Sequence, residues 1–373
     1  MKKHFLIPVS VTLVCIVLAV ACSKSGGGGG TPPPTGTKDE VLVNLGTNII
    51  LPSYQQLSAS TATLDAAVTA FNASPSLTTL TAVQGAFKDA YKKWAACSEF
   101  EFGPAADQFL TTHFTNAFPT DTVLIKGNVN GAVYVIDGIS NFSAQGFPAL
   151  DYLLFAYGND AVIARFTTDA HAAGAKQYLA ALSASLKTKT AAVTNAWSTT
   201  GGNYLAKFIN ATGVDAGSSL SLLLNAYVLD FDVNLQNYKI GIPIGIYGPT
   251  TLPKSPAKVE AVYSGLSDQL LIAQVQAFQN IYLGAADKGI DDKVAATNAQ
   301  KNGGSLNDAI KTQLTAVLTR MQGLPEPLSL GITNNNTTIN DAFTEVRKMT
   351  VLLKVDMSSA LGIKISFADD DGD

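Results

Sequence analysis

The spacing of apolar side chains is the feature that most restricts how this chain can fold. From residue 39 onward these side chains recur mostly at steps of three or four residues, which places them on one face of an α-helix. One such stripe consists of Leu77, Leu80, Val83, Phe87, Tyr91, Trp94 and Cys97. No long stretch alternates apolar and polar residues as a half-buried strand would. The pattern predicts an all-α protein built from helical bundles.

One region interrupts the helical pattern. Residues 103–145 contain glycines and short β-branched pieces but no sustained period, so we expect a long ordered loop that could include a short hairpin. A second succession of amphipathic helix, Gly/Pro-rich loop and apolar helix begins near residue 217. This echo predicts two helical-bundle domains related by internal duplication, 41–200 and 201–373, with long Gly/Pro-rich loops.

The N-terminus has the pattern of a bacterial lipoprotein signal. Lys2 and Lys3 precede an apolar run over 5–20, and the small residues of "AVAC" lead directly to Cys22. We therefore expect residues 1–21 to be a signal peptide and Cys22 to carry the lipid. A plain secretory peptide and an N-terminal anchor helix are the alternatives.

The segment after the signal predicts where the protein resides. Residues 22–40 are rich in Gly and Pro and suit a flexible tether to a membrane. Ser23 and Lys24 follow Cys22 without an acidic residue, so we expect a lipid-anchored envelope protein at the outer membrane.

Charge content argues against a nucleic-acid-binding protein, and cysteine content against a disulfide-stabilised one. The net charge of −4 becomes more negative once Lys2 and Lys3 are removed, which disfavours a nucleic-acid partner. Of the three cysteines, Cys15 lies in the signal and Cys22 is the lipidation site. Cys97 alone remains, so no disulfide framework can form, and its place in an apolar stripe favours a buried small residue.

Neither remaining histidine lies in a metal-binding pattern. His113 and His171 show no HExxH, HxxE or HxH spacing, which leaves no local zinc-hydrolase site. We expect both to be surface or structural residues. The chain also lacks a GxSxG elbow, a P-loop and a dinucleotide fingerprint.

Acidic pairs are the next candidates. Glu99 and Glu101 are two residues apart, so they converge only where the helix has unwound; otherwise they cap a helix or face water, which we expect. Asp230 and Asp232 have the same spacing and are interpreted as a polar helix face opposite an apolar stripe. The tail 369–373 starts like a calcium loop but lacks the downstream glutamate, so a solvated tail is favoured over weak cation binding.

The segment "GFPALDYLLF", with Trp94, "FEFGP", "KIGIP" and "LGIKISFADDDGD", resembles the imelysin family of bacterial envelope proteins over about residues 40–373. The hallmark of that family is Gly-x-His-x-x-Glu at the start of a helix, with the His and Glu proposed as metal ligands. Here Gly146 matches, Pro148 stands in place of the His, and Asp151 stands in place of the Glu.

The substitution in the motif changes its chemistry. A His and a Glu three residues apart project from one helical face and can chelate a cation. Pro148 supplies no ligand atom but suits the first turn of a helix. Asp151 keeps a carboxylate, which either binds a cation with help from elsewhere or caps the helix N-terminus.

The resemblance implies a fold and a range of functions. It implies two all-α domains with the motif near their interface, in a family connected with peptidase activity in some members and iron uptake in others. We expect a non-catalytic binding protein associated with iron or haem uptake, working with uptake components and binding iron or another divalent cation. The candidate binding residues are Trp94, Glu99, Glu101 and Asp151, with Asp151 at most as a metal ligand.

Two alternatives remain open at this stage. One is a metal-dependent peptidase with a non-standard site assembled from Asp151, His113 or His171, and Glu99 or Glu101. The other is a purely structural interaction lipoprotein.

Overall fold

Helices account for nearly all of the regular structure. The computed structural model describes residues 38–367. Within this range the α-helices are α1 (Glu40–Asn44), α2 (Leu51–Ala73), α3 (Leu77–Ala95), α4 (Pro104–Asp107), α5 (Thr112–Thr115), α6 (Thr122–Val129), α7 (Gly146–Phe155), α8 (Asn159–Arg165), α9 (Ala172–Trp197), α10 (Tyr204–Asn210), α11 (Ser219–Leu229), α12 (Ile242–Ile244), α13 (Ser267–Leu283), α14 (Ile290–Ala296), α15 (Leu306–Gln322), α16 (Leu328–Thr333), α17 (Thr337–Val351) and α18 (Ser358–Leu361). The predicted all-α class is confirmed.

The remaining elements are short. The 3₁₀ turns are Ser98–Phe100, Ile139–Ala144, Pro256–Lys258 and Gly284–Ala286. Two antiparallel pairs of two-residue strands join β1 (Ile246–Tyr247) to β2 (Thr250–Thr251) and β3 (Gln300–Lys301) to β4 (Gly304–Ser305).

Three of the longer helices continue through π-helical segments. These segments are Leu45–Ile50 between α1 and α2, Asp230–Gly241 between α11 and α12, and Leu352–Met357 between α17 and α18. The residues at each junction keep right-handed helical angles, so each set forms one continuous helix. A π-helix is rare, usually lasts a single turn, and often occurs at a functional site. The segment Asp230–Gly241 is unusual because its π-helix extends over 12 residues.

The long helices pack around one hydrophobic core. In the first half, α2 lies against α3 and α9, and α7 packs on both α3 and α9. In the second half, α13 contacts α15, and α15 packs against α17. Contacts between α3 and α13 join the two halves, and all described residues fall in one compact unit. Division into two domains near residue 200, and their origin by duplication, stay predictions.

Residues 103–145 differ from the expected loop. The piece "TVLIKG" forms α6 because the Asp121 side chain accepts hydrogen bonds from the Val123 and Leu124 N–H groups, both at 2.9 Å. The piece "AVYVID" is irregular, and the described part of this region contains no strand, so the hairpin prediction is wrong. A side-chain cap therefore overrides the β-branched composition here.

Several predictions fall outside the described residues. They are the signal peptide over 1–21, lipidation of Cys22, all but the last residues of the tether, and the acidic tail at 369–373. Between Lys38 and Phe367, no helix is long and apolar enough to cross a membrane.

Candidate functional site

The segment that resembles the family motif folds as α7, and its first residue has to be glycine. Gly146 has a φ of +68°, a region that residues with a Cβ rarely adopt. A Cβ at this position would lie 2.0 Å from the carbonyl oxygen of Thr115. The missing side chain therefore allows the start of α7 to press against the end of α5.

Pro148 lies in the first turn of α7, as predicted. It is buried, and its missing N–H is one that the first helical turn leaves unused. The preceding Phe147 stacks on Tyr91, with ring centroids 4.6 Å apart and planes within 6°. The position that carries histidine in the family is therefore buried next to an aromatic contact and supplies no ligand atom.

Asp151 is 1% exposed and accepts hydrogen bonds from a distant segment. The Tyr263 N–H donates to Oδ2 and the Ser264 N–H donates to Oδ1, both at 3.0 Å. Burial raises the pKa of Asp151 to about 6, and the hydrogen bonds from Ser264 and Tyr263 oppose this rise. Asp151 thus ties α7 to the segment that precedes α13, a role that neither sequence-based expectation included.

This arrangement does not fit a metal ion held by residues 148 and 151. Each oxygen of Asp151 faces an N–H donor, whose partial positive charge opposes a cation at the same place. Pro148 contributes no donor atom. Within residues 38–367, no three His, Cys, Asp or Glu side chains are grouped so that they could hold a metal ion.

A buried chain of hydrogen bonds runs beside this segment. The Tyr91 hydroxyl donates to Asn116 Oδ1 at 2.5 Å, and Asn116 Nδ2 donates to Glu260 Oε1 at 2.6 Å. Lys239 Nζ lies 3.1 Å from Glu260 Oε2 and donates to Gln274 Oε1 at 2.8 Å. All five residues are buried. Because Tyr91 is on α3 and Gln274 is on α13, this series of hydrogen bonds links the two halves of the molecule.

Asp230 is a second centre of the same network. Its Oδ2 accepts hydrogen bonds from Ser98 Oγ at 2.8 Å and from Gln274 Nε2 at 2.7 Å. Its Oδ1 accepts one from Asn234 Nδ2 at 2.7 Å. Asp230 and Asp232 are only 2% and 0% exposed, so the polar face predicted from the sequence is enclosed within the protein.

Glu99 and Glu101 both converge on Asp230, because α3 has ended at Ala95 and a 3₁₀ turn follows. Glu99 is fully buried, and neither of its carboxylate oxygens has a hydrogen-bond partner in the described chain. Burial, and then the Asp230 carboxylate, raise the pKa of Glu99 well above its usual value. The expectation that Glu99 caps a helix or faces water is therefore wrong.

Glu101 has a different role from Glu99. Its Oε1 accepts hydrogen bonds from the backbone N–H and the hydroxyl of Thr112, the first residue of α5, so this carboxylate binds the start of a short helix. Burial, and then the Asp230 carboxylate, raise the pKa of Glu101 to about 8. Asn234 Nδ2 donates to Thr112 Oγ1 at 3.4 Å and also to Asp230 Oδ1, so Asn234 connects Thr112 with Asp230.

Three polar groups near the start of α7 have no hydrogen-bond partner among residues 38–367. They are the side-chain amide of Gln145, Thr115 Oγ1 and Trp94 Nε1. All three residues are almost fully buried, and the Trp94 ring stacks on Phe147 at 6.4 Å. Buried groups of this kind call for a water or a small polar ligand as partner. Trp94 thus belongs to the site as a core residue with an unsatisfied N–H.

Other residues singled out from the sequence do not join the cluster. His113 and His171 are exposed, which confirms them as surface residues, and His113 stacks on Phe142 at 4.8 Å. Cys97 is buried with a free thiol, as expected.

Sequence reasoning did not identify several members of the network, among them Asn116, Lys239, Glu260 and Gln274. Only Lys239 lies in a segment quoted for the family resemblance, "KIGIP", and no role was assigned to it there. The one available signal was Lys239, a charged residue inside the otherwise apolar segment "YKIGIP". No sequence pattern indicated the residues that contact Lys239, because Glu260 and Gln274 lie in later segments.

Comparisons with known proteins agree with this fold. The family model described as Imelysin matches residues 50–353. An Imelysin-like protein from Psychrobacter arcticum 273-4 has 17% identity and a TM-score of 0.63, with 87% of this chain and 96% of that chain covered. A protein from Parabacteroides distasonis ATCC 8503, named as an iron-regulated protein A precursor, has 17% identity and a TM-score of 0.68, with 88% and 98% covered.

No curated protein matches this chain. At 17% identity the two structures establish a shared fold. The family model spans most of the sequence, and its range includes α7 and the buried network around it. The chain therefore belongs to the imelysin family.

Proposed function

We propose that this chain is a binding protein of the cell envelope that serves iron or haem acquisition and does not act as a peptidase. The observation that carries the proposal is the bonding of Asp151. Each of its oxygens accepts a hydrogen bond from a backbone N–H, while Pro148 offers nothing to a metal. The two hallmark positions therefore support the packing of α7 instead of metal-dependent hydrolysis.

The protonation of the buried acids supports the same conclusion. A carboxylate must lose its proton to bind a metal well. Burial raises the pKa of both Glu99 and Glu101, that of Glu101 to about 8, and so works against the charged form that would bind a metal. A metallopeptidase site built from these glutamates and an exposed histidine would need a substantial rearrangement.

The link to iron rests on relatives. The protein from Parabacteroides distasonis is named as iron-regulated, and this chain shares its fold. The lipoprotein pattern at Cys22 supports attachment to the outer membrane, where components of iron or haem uptake would be its partners. The shared fold and the lipoprotein pattern together support an envelope protein that is anchored to the membrane.

A groove between the two halves is the place we assign to the ligand. It has a volume of about 420 Å³ and lies between α2, α3 and α13, with Phe100 in its wall. Asp89, Lys92, Gln276 and Asn280 supply polar groups to its lining.

The test uses the mature chain with Cys22→Ser, which cannot be lipidated. Fe²⁺ under anaerobic conditions and haemin are titrated separately, and cleavage of an unfolded protein is followed with and without chelator. We expect saturable binding of one iron form and no chelator-sensitive cleavage. Stoichiometric zinc together with chelator-sensitive cleavage would refute the binding role, and absence of binding by both probes would refute the link to iron.

A further inference from the structure

A second pocket lies in the first half of the molecule, away from the buried network. It has a volume of about 490 Å³ and is bounded by α6, α8 and the turn that precedes α9. Gly174 permits this arrangement, because a Cβ there would lie 2.0 Å from the carbonyl oxygen of Val129 at the end of α6. The volume falls within the range of pockets that receive small organic molecules.

Arg165 is the central charged residue of this pocket. Its guanidinium lies over the rings of Tyr152 and Tyr157, at 5.2 Å and 5.8 Å from their centroids. The two tyrosine hydroxyls are themselves 3.1 Å apart, so the two rings form a fixed platform. Stacking of this kind limits the rotation of the guanidinium, which also hydrogen-bonds the Tyr152 side chain and has further N–H donors beyond that one.

No carboxylate of the described residues lies within ion-pairing distance of Arg165 or of Lys126, the other permanent cation in the lining. By contrast, Arg320 lies 3.9 Å from Asp341 on the surface. The lining contains one carboxylate, Asp169, whose Oδ1 accepts a hydrogen bond from the His171 backbone N–H at 2.7 Å. The pocket thus carries a local positive balance on an acidic protein.

We infer that this pocket binds a small organic anion whose carboxylate or phosphate group is received by Arg165 and Lys126. Arg165 can present two parallel N–H donors to such a group, and Lys126 adds a point charge. Val129, Ala161 and Ala164 line the same pocket and pack against the carbon part of the ligand. The site is separate from the proposed iron-related function and does not depend on it.

The test is calorimetric titration of the mature Cys22→Ser chain with iron-free citrate, glucose 1-phosphate and inorganic phosphate. We expect one saturable site for citrate or for glucose 1-phosphate, with higher affinity than for inorganic phosphate and with weaker binding in high salt. The organic anion that binds identifies the headgroup as carboxylate or phosphate. No saturable binding of either organic anion at millimolar concentration would overturn the inference.

Variants locate the site. Arg165→Gln should lower the affinity about tenfold or more, because a charge-assisted hydrogen-bond pair is lost. Arg320→Gln removes an arginine outside the pocket and should leave the affinity unchanged. If Arg165→Gln does not fold, Lys126→Gln replaces it, because Lys126 is at an exposed position. Its affinity for the anion should also be lower than that of Arg320→Gln. Equal affinities for the pocket variants and Arg320→Gln would contradict the assignment.

Discussion

Single residues of α7 show how a metal-binding motif can persist as structure. Gly146 is required by backbone geometry and by the nearby Thr115 carbonyl, Pro148 is compatible with the first helical turn, and Asp151 accepts hydrogen bonds from two N–H groups of another segment. The place of Pro148 could be predicted from the sequence, because it depends on local geometry, whereas the sequence showed only that Gly146 matches the motif. The partners of Asp151 could not, because Tyr263 and Ser264 lie more than 100 residues away along the chain.

Replacement of Gly146 by alanine should destabilise the protein by at least about 2 kcal/mol, through left-handed strain and the clash with Thr115. Gly85→Ala is the matched control, since Gly85 lies inside α3 with open space around its Cα. That change should stabilise by up to about 1 kcal/mol. Urea denaturation measures both, and similar values for the two variants would contradict the role given to Gly146.

Asp151→Asn removes a titrating group whose folded-state pKa is about 6, above its ordinary value of 3.8. Between these two values the folded state binds more protons than the unfolded state, so the contribution of Asp151 to stability falls as pH rises. The difference in unfolding free energy between the native chain and Asp151→Asn should therefore shrink by on the order of 2 kcal/mol from pH 4 to pH 6. A difference that is constant with pH would mean that the carboxylate is not buried as described.

Among the elements, the helix that runs from α11 through the π segment Asp230–Gly241 organises the site. It carries Asp230 and Lys239, two of the charged residues that hold the network together. The apolar period predicted this helix, but no pattern in the sequence distinguishes a π turn from an α turn. Residues 103–145 show the opposite case, since a single cap at Asp121 turned a β-branched piece into α6.

The acids of this network should respond differently to neutral replacement. Burial raises the pKa of the Glu99 carboxyl, and Glu99→Gln replaces it with a neutral group of similar shape, so stability at pH 7 should change by less than about 1 kcal/mol. Asp230→Asn places an amide nitrogen against donors from Ser98, Asn234 and Gln274, and should cost about 1–3 kcal/mol. Chemical denaturation at pH 7 measures the free energy of unfolding of both variants. A larger loss of stability for Glu99→Gln than for Asp230→Asn would contradict the roles given to these two acids.

For the whole molecule, the sequence was sufficient to predict the all-α class and the imelysin family, because both depend on patterns that extend over most of the chain. It was not sufficient to predict the buried network, which assembles residues from α3, the π segment and α13. The anion pocket was also hidden, because Lys126 and Arg165 belong to separate helices. Sequence patterns therefore identified the scaffold, and the chemistry of the interior required the structure.

The most direct test of the central claim is the metal retained by the native mature chain and by Asp151→Asn after equilibrium dialysis against Zn²⁺ or Fe²⁺. If Asp151 is a structural tie and not a ligand, both proteins should retain the same amount of each metal. One equivalent of metal in the native chain that is absent from a folded Asp151→Asn variant would contradict the account.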